Sequence, residues 1–496
     1  MSSPETEAES ITEHAGSLAL DADARSDLPA LYRDSSFWGM NITQFLGAFN
    51  DNLFKQLVLL LSITGVDQAL KSKAADDQWL PMLMFVVPFL LFTGYAGYLA
   101  DRYSKRTIVI WAKVAEIVAM ALGAGAFAMY GANRSMWPMY AVLFFMAAQS
   151  AFFGPAKYGI LPEMLRERDL PRANGFMLMT TFLAIIFGTA VAGLLLADYR
   201  TADQIDAAAS LTPQARAAAE QSRVAGQLWI GSVACVGIAV VGTITSLWVR
   251  RVRVANPKLQ LTPEAFTIPT DMIALLRRDR PLLMALLVSS TFWLLAGLVP
   301  PAVNALGKLV LEVGDDNTSY LSAMIGVGIA IGCAIGGVVS AGRVDFRLLR
   351  IGCIGMMACL AIVAIPADGN VDQLRNESGV LTRLPGIGES TQWLGYVGSM
   401  PIFLVMGAFT GLFAVPLQVF MQSRPPDDKK GRMIAVMNQF NWIGILLAVA
   451  VYAGLTKLIE WQAWPRSVIF LFIALLMLPI AILYHPQHER EQTAAA

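Results

Sequence analysis

Runs of about 20 predominantly apolar residues, each long enough to cross a bilayer as a helix, recur along the whole chain. Twelve are read, near residues 36–63, 79–100, 107–129, 137–160, 173–197, 226–249, 282–310, 320–341, 348–366, 393–422, 432–456 and 466–484. In hydrocarbon every backbone polar group needs an internal partner, so only helices and closed barrels span a membrane. Barrel strands are shorter and alternate in polarity, which these runs do not. The composition agrees. Hydrophobic residues make up 56% and charged residues 15%, against about 25% charged in a soluble domain, and the mean hydropathy is +0.54. The predicted fold class is an all-α integral membrane protein with twelve transmembrane helices.

Charge sets the expected orientation. Lys/Arg and Asp/Glu both number 37, so no global basic field attracts nucleic acid. About 25 of the Lys/Arg fall on the tails, the loops after even-numbered spans and the adjoining helix ends, against about 11 on the other face. By the positive-inside rule both termini are cytoplasmic. Residues 1–35 lack the basic start and apolar core of a signal peptide, are rich in acid, and read as a disordered cytoplasmic tail. The four cysteines (Cys235, Cys333, Cys353, Cys359) lie in apolar runs without metal-ligand spacing and read as small buried hydrophobes. No metal or cofactor is predicted.

The chain echoes itself six spans apart. "FFGPAKYGILPE" from Phe152 is answered by "FAVPLQVFMQSRP" from Phe413, "ANGF" at 173–176 by "MNQF" at 437–440, and "GYLADRYSKR" at 97–106 by "GVVSAGRVDFR" at 337–347. Two parallel six-helix halves, at 36–249 and 282–485, are a transporter architecture with the substrate site between them near the midplane. A cytoplasmic linker at 250–281, basic and containing Pro257, Pro263 and Pro269, joins them, and 486–496 form a second cytoplasmic tail.

Span 1 carries an acid, a base and two amides in "FLGAFNDNLFKQLVLLL". On a helical wheel Asn41, Gln44, Ala48, Asp51, Asn52 and Lys55 share an arc of about 100°, with Asn50 pointing away. Each charge at mid-bilayer costs about 2.5–3.5 kcal/mol, and the i,i+4 spacing of Asp51 and Lys55 predicts a pair that offsets part of it. Two readings stand: a structural pair between helices, or one wall of a substrate cavity. Gln149, Asn304 (after a helix break at Pro300-Pro301), Asn438 and Asn441 lie at similar depth and join the candidate substrate set of Gln44, Asp51, Asn52 and Lys55, although buried amides also serve as interhelical ties. Lys157, Gln418 and Gln422 sit nearer the cytoplasmic ends as inner-gate candidates. Glu116 is expected to pair with Lys113.

"GYLADRYSKR" supplies Gly97, expected to let helices approach closely, Asp101 for a helix N-terminus, and Arg102, Lys105 and Arg106 for the anionic inner surface. The string resembles the gating loop between spans 2 and 3 of the major facilitator superfamily, with Ser104 where that signature usually has Gly. Together "FLGAFNDNLFK", "WAKVAEI", "FFGPAKYGILPE", "RANG", "FWLLAG", "VPLQVFMQ" and "NQFNWIGI" resemble the lysophospholipid transporter (LplT-type) family over roughly residues 36–485. That resemblance implies alternating-access transport of lysophosphatidylethanolamine-like lipid across the bacterial inner membrane, and a functional link to a lysophospholipid acyltransferase. Some relatives are fused to an acyltransferase domain, which is not expected here. The acidic tail and the long outer loops at 198–225 and 367–392 depart from the family pattern. A zwitterionic head group would place its ammonium at Asp51 and its phosphate at Lys55. "GTAVAG" at 188–193 and "GVGIAIGCAIGG" at 326–337 offer small-residue faces where helices slide or simply pack closely.

The alternative function is a proton-coupled exporter of amphipathic drugs or other small molecules, with Asp51 and Glu116 carrying protons. An enzyme is not expected. No nucleotide loop, metal motif or nucleophile elbow occurs, and the three histidines (His14, His485, His488) lie in the tails. The expected partners are an amphipathic substrate and membrane lipids, and the expected state is a monomer.

Overall fold

The computed structural model describes residues 28–64, 75–133, 135–166, 169–198, 231–252, 270–340, 346–376, 379, 381–426 and 430–484. Twelve long helices organise these residues: α1 (Ser35–Leu61), α2 (Trp79–Arg102), α3 (Lys105–Asn133), α4 (Trp137–Gly159), α5 (Leu170–Asp198), α6 (Gly231–Ser246), α7 (Arg280–Ala305), α8 (Asp315–Ser340), α9 (Phe346–Val363), α10 (Gly395–Ser423), α11 (Lys430–Trp461) and α12 (Val468–Leu483). Among the described residues nine helices are long and apolar enough to cross a membrane. α1 is not one of them, despite its 27 residues, because its polar stripe lowers its hydropathy. α6 and α12 are shorter apolar helices over the described residues. The chain is thus an all-helical membrane protein, its strand content among the described residues being the two-residue pair β1 (Ile63–Thr64) and β2 (Ala75–Asp76).

Local chemistry starts the helices where expected. Asp34 caps α1 by accepting from Ser36 N at 2.8 Å, and Arg250, four residues past α6, meets the same carboxylate at 2.6 Å. Asp279 caps α7 through Leu282 N at 3.1 Å, with Pro281 in the first turn, where its missing N–H leaves no bond unmade. Pro300 and Pro301 do not break α7. They lie inside it, and five π-helical residues (Leu306–Val310) carry it on. Prolines inside a helix are tolerated in a membrane bundle, and here Pro301 O also accepts from Gln78 Nε2 at 2.9 Å.

Among α1–α6, the N-terminal half of the sequence, α1 packs on α5, α2 on α4, and α3 on α4. Among α7–α12, the C-terminal half, α7 packs on α11, α8 on α10, and α9 on α10. The halves meet where α5 packs on α8 and α2 on α11. The close approaches are built on glycine. A Cβ on Gly332 would lie 2.0 Å from Ala408 O, and one on Gly328 2.0 Å from Leu404 O, so α8 and α10 touch backbone to backbone. Within the stripe at 326–337 Gly328 and Gly332 serve this packing, Gly326 faces Ile186 of α5, and a Cβ on Gly337 would meet nothing within 4 Å. Gly193 of the 188–193 stripe faces the other half, its Cβ direction 2.2 Å from Ser319 Oγ.

One region differs from expectation. The last residues of the N-terminal tail are packed: Leu31 is buried, and Trp38 Nε1 donates to Tyr32 O at 3.0 Å. Residues 1–27 lie outside the described residues, as do the linker prolines and the loop at 201–225; of the linker, a nine-residue helix, Thr270–Arg278, is described. The long loop at 367–392 is closed at its base by the Pro366–Gln392 bridge and by Gln392 Nε2 donating to Val363 O at 3.1 Å.

Candidate substrate site and gate

Polar groups along α1 fall into three levels. Nearest its start, Gln44 is buried with all its hydrogen-bonding capacity used. Its Nε2 donates to Thr180 Oγ1 (2.7 Å) and Met177 O (3.3 Å), and its Oε1 accepts from Thr181 Oγ1 (2.8 Å) and Lys157 Nζ (3.3 Å). Asn41 accepts from Thr180 at 2.8 Å. This level ties α1 to α4 and α5, and holds Lys157 inside the first half.

At the middle level the expected Asp51–Lys55 ion pair is not formed. Asp51 Oδ2 accepts from Ser150 Oγ at 2.6 Å, Gln149 Nε2 donates to the same hydroxyl at 2.8 Å, and Asp51 Oδ1 is buried without a partner. Lys55 Nζ turns the other way, donating to Asn52 Oδ1 at 2.9 Å and lying 4.8 Å from the centre of the Phe85 ring. Asn52 Nδ2 donates to Ala48 O at 2.7 Å, which fixes the amide so that its oxygen faces Lys55. Glu116 pairs with Lys113 as expected, both fully buried. Asn50 Nδ2 donates to Glu116 Oε1 (2.9 Å) and to Cys235 O (3.0 Å). Gly47 makes room, since a Cβ there would lie 2.2 Å from Lys113 Nζ.

The third level, beyond Lys55, joins the halves. Gln56 Nε2 donates to Asn304 Oδ1 (2.8 Å), and Asn304 Nδ2 donates to Gln78 Oε1 (2.9 Å). Gln78 Nε2 donates to Pro301 O (2.9 Å) and Asp76 Oδ1 (3.1 Å). Tyr452 Oη donates to Asp76 Oδ2 (2.6 Å), which Arg466 approaches at 3.7 Å. Lys308 Nζ reaches Leu60 O (3.2 Å) and pairs with Asp315 (2.8 Å). Leu59, Met82 and Val86 of the first half enter the hydrophobic cluster of the second beside this network. Asp76 lies in β2, outside the helices, and burial raises its carboxyl above the usual range against the hydrogen bonds from Tyr452 and Gln78.

The inter-half hydrogen bonds among the described residues gather at this end. At the other end the loop groups bond within one half: Lys105 with Glu163, Arg102 with the Tyr98 hydroxyl, Arg106 with Leu247 O at 3.1 Å, and Arg424 with Asp279 at 2.9 Å. Asp101 is exposed in the last turn of α2. Gly97 does not serve a close approach, since a Cβ there would meet nothing within 4 Å. Gln418 and Asn438 are half-buried on α10 and α11. Gln422 lies in α10, but its side chain is outside the described residues. Asn441 is buried and accepts from Ser289 of α7 at 3.0 Å. Beside it, Trp442 stacks on Phe89 of α2 at 3.8 Å, across the halves.

The profile of the Major Facilitator Superfamily matches residues 40–449. The chain belongs to the Major Facilitator Superfamily. Membership makes it a membrane transporter rather than an enzyme. Curated relatives include proteins named lysophospholipid transporter LplT. One from Serratia proteamaculans is 27% identical over 87% of this chain and 91% of its own length. Another from Photorhabdus laumondii is 27% identical over 84% of this chain and 87% of its own. Among solved superfamily structures, FucP in its outward conformation aligns with a TM-score of 0.58 at 14% identity, over 91% of this chain and 99% of that one. A POT family transporter in complex with 5-aminolevulinic acid aligns at 0.62 and 10% identity, over 90% and 95%. At such identities the likeness concerns the fold alone.

Sequence reasoning missed most of this superfamily member's inter-half network. Gln56 carried a signal, sitting one turn beyond Asn52 on the same stripe. Asp76 and Gln78 carry no more signal than ordinary loop polarity before span 2, and Tyr452 no more than one aromatic in an apolar run. Ser150 was hidden beside Gln149.

Proposed function

We propose that this chain is a secondary transporter of the bacterial inner membrane that moves lysophosphatidylethanolamine-like lysophospholipid by alternating access. The observation that carries the mechanism is the one-sided closure, in which buried hydrogen bonds join the halves at the Gln56–Asn304–Tyr452 end while loop groups at the opposite end bond within their own halves. A seal made of amides, a phenol and a carboxylate suits a gate. Each hydrogen bond contributes a net of only about 0.5–1.5 kcal/mol, because water replaces it on opening. The lipid substrate is supported by the names of the curated relatives over most of the chain's length.

In this reading α1, α6 and α12 cross the membrane with the other nine helices, in two parallel six-helix halves (36–249 and 282–485). The pairings α1–α5 and α7–α11, α2–α4 and α8–α10, and α3–α4 and α9–α10 support that repeat. Both termini and the 250–281 linker are cytoplasmic, so the closed end faces outward. Lys55, Asn52 and Asn438 border the substrate path, with Phe85, Phe89 and Trp442 as its apolar wall. Gln44, Asn304 and Asn441 hold helices in place, and Gln149 orients Ser150 toward Asp51. Arg102, Lys105 and Arg106 act on the conformational equilibrium, and a lysophospholipid acyltransferase consumes the delivered lipid. Uptake of a panel of lysolipids and cationic drugs into spheroplasts tests the reading. It requires lysolipid uptake that depends on this protein, and uptake confined to the cationic drugs would replace it with a drug transporter.

A further inference from the structure

Lys55 is the only cationic side chain of α1, and in the structure it is half-buried. An ammonium has three donors and one full charge to satisfy. Of these, one donor goes to a neutral amide oxygen, Asn52 Oδ1, and the charge faces the Phe85 ring. The neighbouring acid makes no ion pair with it: Asp51 Oδ2 accepts from Ser150 in the Gln149–Ser150 chain on α4. A partly desolvated charge held this way favours an anion with several oxygen acceptors. The surface leading away from it is aromatic. Phe85 meets Phe89 at 5.5 Å, and Phe89 stacks on Trp442 of the other half at 3.8 Å and 12°. An anion site at the foot of an aromatic wall fits an amphiphile better than a free ion. It also lies one residue before Gln56, the first group of the inter-half network.

We propose that Lys55 is a single-cation binding site for the phosphate-type group of an amphiphilic substrate, that Asn52 is a positioning residue holding the ammonium over the Phe85 ring, and that Asp51 takes no part in head-group recognition. This rests on the lysophospholipid reading for the identity of the amphiphile, though not for the anion. Selection then acts on the phosphate. A head group with an ammonium and one without it are taken alike, and neutral or cationic amphiphiles are not.

The test uses the purified full chain in dodecyl maltoside. Binding of dodecyl phosphate, lysophosphatidylethanolamine, lysophosphatidylglycerol, monolauroylglycerol and inorganic phosphate is measured by calorimetry, with thermal unfolding as a check on folding. Dodecyl phosphate and both lysolipids should bind with similar affinity, and monolauroylglycerol and inorganic phosphate at least about tenfold more weakly. Lys55→Gln should weaken dodecyl phosphate about tenfold or more, the scale of one charge-assisted bond, while Lys55→Arg and Asp51→Asn stay within about threefold of the parent. Asn52→Ala should shrink the ratio of dodecyl phosphate to monolauroylglycerol affinity, a ratio that a purely structural role would leave unchanged. Should Lys55→Gln fail to fold, Lys55→Arg and Asp51→Asn still decide the matter, because loss of anion preference in Asp51→Asn alone would overturn the proposal. Equal binding of dodecyl phosphate by folded Lys55→Gln would overturn it as well, and so would inorganic phosphate binding as tightly as dodecyl phosphate. Lys55-dependent anion binding without lysolipid uptake would overturn only the transport reading.

Discussion

Tyr452 on α11 donates its hydroxyl to the Asp76 carboxylate at 2.6 Å, joining the second half to the segment between α1 and α2. Both groups are buried, and the same hydroxyl reaches Pro301 O at 3.1 Å. Tyr452→Phe keeps the ring and removes the donor, which leaves a carboxylate oxygen short of a partner at a cost of about 1–3 kcal/mol to the closed arrangement. Spin labels at Asp77 and Gln462, both exposed at the closed end, should show a smaller short-distance population in the variant by pulsed EPR. An unchanged distribution would remove Tyr452 from the gate.

The same end should respond to pH through Asp76. Burial raises its carboxyl, so the closed state holds the neutral acid more readily than the charged one. Closure is therefore strongest below the ordinary carboxylate value of 3.8 and weakens as pH climbs through the raised value. The EPR short-distance population should fall over that window in the parent and stay flat in Asp76→Asn. A pH response of equal size in Asp76→Asn would assign the titration to another group.

Gly193 lets α5 approach α8 at the contact between the halves. A Cβ there would lie 2.2 Å from Ser319 Oγ and 2.4 Å from Asp315 O, a backbone atom with little freedom to move. Gly193→Ala should push the closed end apart and reduce the short EPR distances. Gly125→Ala, where nothing lies within 4 Å, should leave them alone. Equal behaviour of the two variants would show that α5–α8 contact does not set the closure.

The fold was legible because it rests on the crudest signal in the chain. Apolar run length placed α2 at 79–100 against an observed Trp79–Arg102, and α4 at 137–160 against Trp137–Gly159. The site was less legible. Helical spacing places Asp51 and Lys55 on one stripe, but it does not say which neighbour each prefers. Ser150 on α4 and Asn52 on α1 decided that, and only tertiary packing brings Ser150 to Asp51. The seal between the halves was harder still, because Asp76, Gln78 and Tyr452 belong to separate segments whose meeting leaves no local pattern. Pro300-Pro301 misled for the opposite reason, since a strong local rule for breaking helices is relaxed inside a membrane bundle.

The Lys113–Glu116 pair should be structural. Both charges are buried on α3, with Asn50 on the free carboxylate oxygen. Glu116→Gln strands the ammonium and should destabilise the detergent-purified protein by about 3–5 kcal/mol, read as a lowered Tm. The charge-free double variant Lys113→Met/Glu116→Leu should recover most of that loss. A single variant as stable as the parent would argue that water already reaches the pair.

The measurement that bears most directly on the whole account is uptake of labelled lysophosphatidylethanolamine by vesicles reconstituted with the purified protein. Saturable uptake above that of protein-free vesicles is expected, with a large reduction in Lys55→Gln and retention in Lys55→Arg. Uptake no greater than in protein-free vesicles, with the protein folded and inserted, would contradict it.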